Sequence, residues 1–242
     1  MFFLPLYLLD LKMKFRLILF FILSYTSLLA QEEESPFPNV TDSLYREDQF
    51  YLGVTYNLLN NKPNGVNQNK FSSGFHFGFI RDMPINKKRN KAIGVGLGLS
   101  FNSYNQNLLI AENNEEVNFS VINDDVNYSK NKFYTSIVEL PIEFRWRTST
   151  TKEYNFWRIY TGVKFGYVFS NSSKYEGEPE NIRIKQIDSF NTLQYGLTLS
   201  TGYSTWNFHL YYGLNPIFDN SNVNNNPIDM TDIKIGLMFY IL

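Results

Sequence analysis

Eight stretches of the chain alternate bulky apolar residues with small or polar ones at every second position. That is the period of a β-strand with two unlike faces. In QFYLGVTYNL, Phe50, Leu52, Val54 and Tyr56 share one face and Tyr51, Gly53, Thr55 and Asn57 the other. FSSGFHFGFI sets Phe71, Ser73, Phe75, Phe77 and Phe79 against Ser72, Gly74, His76 and Gly78. AIGVGLGLSF sets Ile93, Val95, Leu97, Leu99 and Phe101 against Ala92, Gly94, Gly96, Gly98 and Ser100. The same division recurs in SIVELPIEFRWR, WRIYTGVKFGYVF, LQYGLTLSTGY, WNFHLYYGL and DIKIGLMFYIL.

The three evenly spaced glycines of AIGVGLGLSF invite a nucleotide-binding reading, which the pattern does not support. A dinucleotide fingerprint needs G-x-G-x-x-G at the opening of a helix. Leu99 stands where the third glycine would be, no helical pattern follows, and no Gly-Lys-Ser/Thr occurs. The strand reading keeps these glycines as one nearly empty face.

Eight such segments, each long enough to cross a bilayer at a tilt, form an even set, as in bacterial single-chain barrels. Long polar stretches follow the first, third, fifth and seventh: NNKPNGVNQNK, residues 105–131, residues 171–189 and FDNSNVNNNP. Shorter links (MPINKKRN, TSTTKEYN and ST) follow the second, fourth and sixth. The expected fold is all-β: an eight-stranded antiparallel transmembrane β-barrel over residues 48–242, with short periplasmic turns and long extracellular loops. KKRN at 87–90 then reads as a basic periplasmic turn.

The barrel's orientation follows from volume. Eight strands leave an interior that side chains just fill. Rows of Phe, Leu, Tyr and Trp from all eight would overfill it and leave the Gly, Ser and Thr face outside without purpose. The apolar face therefore faces lipid, and closure satisfies the backbone. Trp146, Trp157 and Trp206 all fall on the apolar face at strand ends beside the short links, as an interfacial girdle would.

Composition agrees with this placement. Aromatic residues make up 17% of the 242 residues, and a mean hydropathy of −0.28 is too polar for a helical membrane protein. A net charge of −1 offers no case for nucleic acid, and the absence of cysteine excludes thiolate metal sites. Residues 1–30 read as a signal peptide. From Met13, an alternative start, a basic region (Lys14, Arg16) leads into an apolar run and Ala30. Residues 31–47 read as an irregular periplasmic leader.

The inner face gathers charge: Glu139, Glu143, Arg145, Arg158, Lys164, Asp232 and Lys234, with His76 and His209. The expectation is a set of neutralising ion pairs that plug a narrow barrel, because buried charges are seldom tolerated alone. A proton path or a catalytic carboxylate–histidine pair is the sharper alternative, but the lipid face carries no Ser–His–acid grouping. No metal site is expected, since the histidines lie on non-adjacent strands. Glu112, Glu115, Glu116, Asp124 and Asp125 lack the spacing of a calcium loop. No cofactor is expected either.

With this strand plan, the chain resembles the PorT family of outer-membrane β-barrel proteins of Bacteroidetes. The resemblance rests on the signal ending LLAQ, on SIVELPIEFRWR and on FWRIYTGVKFGY, and it spans nearly all of the mature chain. KIGLMFYI near the C-terminus is similar to a barrel-assembly signal. The family resemblance implies the bacterial outer membrane, association with type IX secretion and gliding, and no known catalytic role. Expected partners are outer-membrane lipid, lipopolysaccharide and outer-membrane or secretion machinery proteins. The alternative is a narrow porin for small solutes.

Overall fold

The structure is a computed structural model describing residues 46–68, 70–113, 116–123, 125–148, 156–224 and 226–241. The expected signal peptide, the leader up to residue 45, and Glu115 and Asp124 lie outside them. Thirteen strands follow in order: β1 (Gln49–Asn60), β2 (Ser73–Pro84), β3 (Lys91–Asn105), β4 (Leu108–Asn113), β5 (Glu116–Val121), β6 (Tyr128–Arg147) and β7 (Trp157–Gly177). β8 (Ile182–Lys185), β9 (Leu193–Tyr203), β10 (Trp206–Gly213), β11 (Asn222–Val223), β12 (Asn226–Pro227) and β13 (Thr231–Ile241) complete the chain.

Eight of these close on themselves in the order β6-β3-β2-β1-β13-β10-β9-β7, the last strand pairing back to β6. All eight contain the segments that alternate in the sequence. Every neighbouring pair is antiparallel, so closure leaves the bilayer with no unpaired edge. The burial alternates as the side-chain period requires: in β1, Tyr51, Gly53, Thr55 and Asn57 are buried and Phe50, Leu52, Val54 and Tyr56 exposed.

Two strands exceed their expected lengths. β6 and β7 run 20 and 21 residues and stay paired from Arg147–Arg158 up to Tyr128–Gly177. Phe169 is an extra residue in this ladder, since Ile137 faces Val168 while Ser136 faces Ser170. Such a bulge reverses which residues point inward. Below it Lys164, Gly166 and Val168 are buried; above it Ser173 and Tyr175 are.

The long connections also depart from expectation. Read as polar stretches, they hold the hairpin β4–β5, the strand β8 and the hairpin β11–β12. Leu108, Ile110, Ile184, Ile187, Phe190, Ile217, Phe218, Val223, Ile228 and Met230 come together over Leu59, Tyr104 and Phe133 at the upper strand ends. Phe133 packs against Tyr104, Phe190 and Phe218 with ring centroids 4.7, 5.5 and 5.5 Å apart. These rings form an apolar cap at the long-loop end.

The many amide side chains of these loops serve the backbone. Asn131 donates to the carbonyls of Gln106 at 2.9 Å and Leu108 at 3.1 Å, and Asn107 accepts from the Asn67 amide at 2.6 Å. Buried loop backbone needs such partners.

Candidate functional site

The lumen is filled in three tiers below the cap. At the short-turn end, Arg145 stands at the centre. It donates through Nη1 to Asp82 at 3.1 Å, through Nη2 to Gln49 at 2.8 Å and through Nε to Glu143 at 3.3 Å. Its guanidinium also lies 4.3 Å from the Tyr160 ring centre, a cation–π contact. Arg147 grips Asp82 from the other side, and Glu47, at the end of the expected leader, is buried beside them. Arg158 is held differently. It donates to the Ser204 carbonyl at 2.5 Å, lies over Phe156, and makes no ion pair among the described residues.

The middle tier is built on Glu139. One oxygen meets His76 Nδ1 at 3.1 Å and the other accepts from Lys164 Nζ at 3.0 Å. His76 Nε2 lies 3.2 Å from the Thr55 hydroxyl. In the upper tier Asp232 takes Lys234 at 3.0 Å and the Tyr104 hydroxyl at 2.6 Å, while Lys234 lies over the Tyr211 ring.

These tiers neutralise themselves. The buried cations Arg145, Arg147 and Arg158 match the buried anions Glu47, Asp82 and Glu143 in number, and Lys164 and Lys234 match Glu139 and Asp232. The space left beside Glu139, Lys164, Gln194, Tyr211 and Lys234 is about 10 Å³, room for one water at most.

The glycine face is now explained by what crosses it. A Cβ on Gly94 would lie 2.8 Å from Arg145 Cδ, one on Gly96 2.6 Å from Ile80 Cγ1, and one on Gly98 against the Tyr51 hydroxyl. Each glycine is a slot for a large side chain from another strand. The expectation of a lumen of small and polar residues is thereby amended, because Tyr51, Tyr104, Tyr160, Tyr211 and Tyr240 all turn inward and are buried.

All nine lumen residues singled out in the sequence are buried on the inner side, but sequence reasoning missed Asp82, Arg147 and Glu47. Asp82 continues the inward series Gly74, His76, Gly78, Ile80. Ending that segment at Ile80 hid it. The two histidines stay apart: His76 joins Glu139, while His209 Nδ1 pairs with Ser200 at 2.7 Å. Its Nε2 has no partner among the described residues, so Ser200 and His209 lack the orienting acid of a hydrolytic triad.

On the outer face, Trp157 packs with Tyr203 and Trp206 with Phe239, with centroids 5.5 and 5.0 Å apart. Both tryptophans are exposed at the short-turn ends of their strands; Trp146, one residue from the end of β6, is half-buried. Exposed Phe, Leu, Val and Ile cover the wall above them.

Comparison with known proteins adds one finding. The family model for an outer membrane protein beta-barrel domain matches residues 29–219. No curated protein matches the chain.

Proposed function

Because the chain belongs to the outer membrane protein beta-barrel domain family, we propose that it is a non-conducting, non-enzymatic barrel of the bacterial outer membrane. It acts in assembly or as a secretion accessory of the PorT kind. The work is done by surfaces at its two ends, the capped loops outside and the rim inside.

One observation carries this reading: among the described residues, buried side chains fill the lumen at its foot, middle and mouth. Arg145 and Arg147 on β6 reach over β3 to Asp82 on β2 at the foot, His76 on β2 meets Glu139 on β6 in the middle, and the rings about Phe133 fill the mouth. At the foot and in the middle a solute would have to displace side chains held in buried ion pairs between strands, and each pair broken leaves an uncompensated charge at a cost of about 3–5 kcal/mol. The narrow-porin alternative requires all of them to open at once.

Two measurements test the proposal together. Purified protein in a planar bilayer shows no steady open-channel conductance, and crosslinking in native outer membranes captures other outer-membrane proteins through the loops or rim. Steady conductance overturns the plugged barrel. Crosslinking that recovers no protein partner overturns the assembly role.

A further inference from the structure

The outer wall of β1, β2 and β3 carries a groove of about 620 Å³. Register explains its shape. One row of side chains runs Leu52, Phe77, Leu99; the next runs Phe50, Phe79, Leu97. Between the rows, Gly78 and Gly98 face each other in the ladder, and both send their missing side chains inward. The floor seen from the lipid is therefore bare strand. Rows two residues apart are about 7 Å apart, wide enough for one hydrocarbon chain between them.

Arg81 stands one row nearer the short-turn end. It is exposed on the same outer face, two residues beyond Phe79, opposite Val95 and with exposed Met83 below it. Its inward neighbours Ile80 and Asp82 are fully buried. Its guanidinium makes no ion pair and no hydrogen bond among the described residues. An arginine on a lipid-facing wall is destabilising unless it reaches the interface or meets an anion. The apolar groove and the unpaired cation sit side by side.

We propose that groove and guanidinium together bind one glycerophospholipid of the periplasmic leaflet. An acyl chain lies between the two rows, and the phosphodiester accepts from Arg81. The groove takes hydrocarbon because its walls are apolar, and the cation takes phosphate because a planar guanidinium matches its oxygens. The leaflet follows from the position near the short turns, which are periplasmic in such barrels. This inference stands whether or not the lumen conducts.

Native mass spectrometry of the protein extracted from bilayers of palmitoyl-oleoyl phosphatidylethanolamine and phosphatidylglycerol tests it. The native protein retains one phospholipid through detergent exchange. R81Q lowers retention about tenfold, the equivalent of one charge-assisted contact. L97W fills the groove and lowers it as far. L193W, on the exposed outer face of β9, leaves it unchanged. All three are outward substitutions, and heat-modifiable gel migration confirms that each barrel is closed. Retention unchanged in R81Q overturns the phosphate contact, and retention unchanged in L97W overturns the groove. Equal loss in L193W, or displacement of the phospholipid by lipid A, overturns the assignment to a specific periplasmic-leaflet site.

Discussion

Arg147 meets Asp82 in a two-pronged ion pair: Nη1 donates to Oδ1 and Nη2 to Oδ2, each at 2.8 Å, and both side chains are fully buried. Asp82 thereby shares its carboxylate between Arg147 and Arg145, the two cations at the barrel foot. Replacing it with asparagine keeps the shape and removes the charge. D82N is expected to lower unfolding stability by about 3–5 kcal/mol, because both guanidinium groups then lie buried without a full counter-charge. Urea unfolding in lipid vesicles measures it, and a loss below about 1 kcal/mol would show that Glu143, Glu47 or water, not Asp82, compensates these arginines.

Tyr51 lies along the inner wall over Gly78 and reaches Gly98, two strands away, leaving no room there for a methyl group before the Tyr51 hydroxyl. G98A is expected to destabilise the barrel by about 1–3 kcal/mol, the usual cost of overpacking. Y51F removes the nearest obstructing atom and should recover part of that loss in the double variant. The Phe77 carbonyl, 2.7 Å from the same added carbon, limits the recovery. Simple additivity of the two changes in a double-mutant cycle would separate Gly98 from Tyr51 energetically.

Phe218 sits in the cap against Phe119, Phe133 and Phe190, with ring centroids 5.2, 5.5 and 4.6 Å away. F218A is expected to loosen the cap by about 3–5 kcal/mol while the barrel below stays closed. Limited proteolysis should cut the long loops faster in the variant, with unchanged heat-modifiable migration of the barrel. Equal cutting rates in variant and native protein would mean that the loops are held by something other than this apolar cluster.

Glu176, near the upper end of β7, holds Lys130 at 2.9 Å and Lys174 at 2.5 Å. Hydrogen bonds from Lys130 and Lys174 bring its carboxyl down to about 2. The folded value is the depressed one, so the stabilisation is present above the ordinary carboxylate range and is lost as pH falls through about 2. Lys130 is raised by the same contact, so its share is present below its ordinary value and is lost as pH rises through the folded one. Carbon-detected NMR titration of the Glu176 carboxyl checks this, and a midpoint at the ordinary 4.5 would place the three side chains apart in solution.

Trp157 and Trp206 are exposed at the short-turn ends of β7 and β10. If they ring the bilayer boundary, lipids brominated high on the acyl chain should quench tryptophan fluorescence more than lipids brominated near the chain end. Stronger quenching by the deep bromines would displace the girdle toward the membrane centre and shift the whole barrel vertically.

The wall of this barrel was legible residue by residue. Whether Leu97 meets lipid or Gly96 meets the lumen depends on a period of two and on each side chain's own polarity, both carried locally. The eight barrel strands, the lipid face and the inward set from His76 to Lys234 follow from that alone. The alternation fades where both faces of a strand are wet. Tyr128–Phe133 mixes polar and aromatic residues on both sides, and the upward extension of β6 and β7 left no period to read.

Contacts between distant strands were a different matter. Asp82 and Arg147 lie 65 positions apart, and their meeting depends on how far each strand slides along its neighbour before the sheet closes. The cap is of the same kind. Ile184, Phe190, the adjacent Ile217 and Phe218, and Met230 are spread through the long connections, and only the closed barrel brings those connections over one mouth. Polarity repeats along a single strand, and the sequence carries it. Pairing between charges and packing between loops arise from the closure of all eight strands, so no single stretch of sequence contains them.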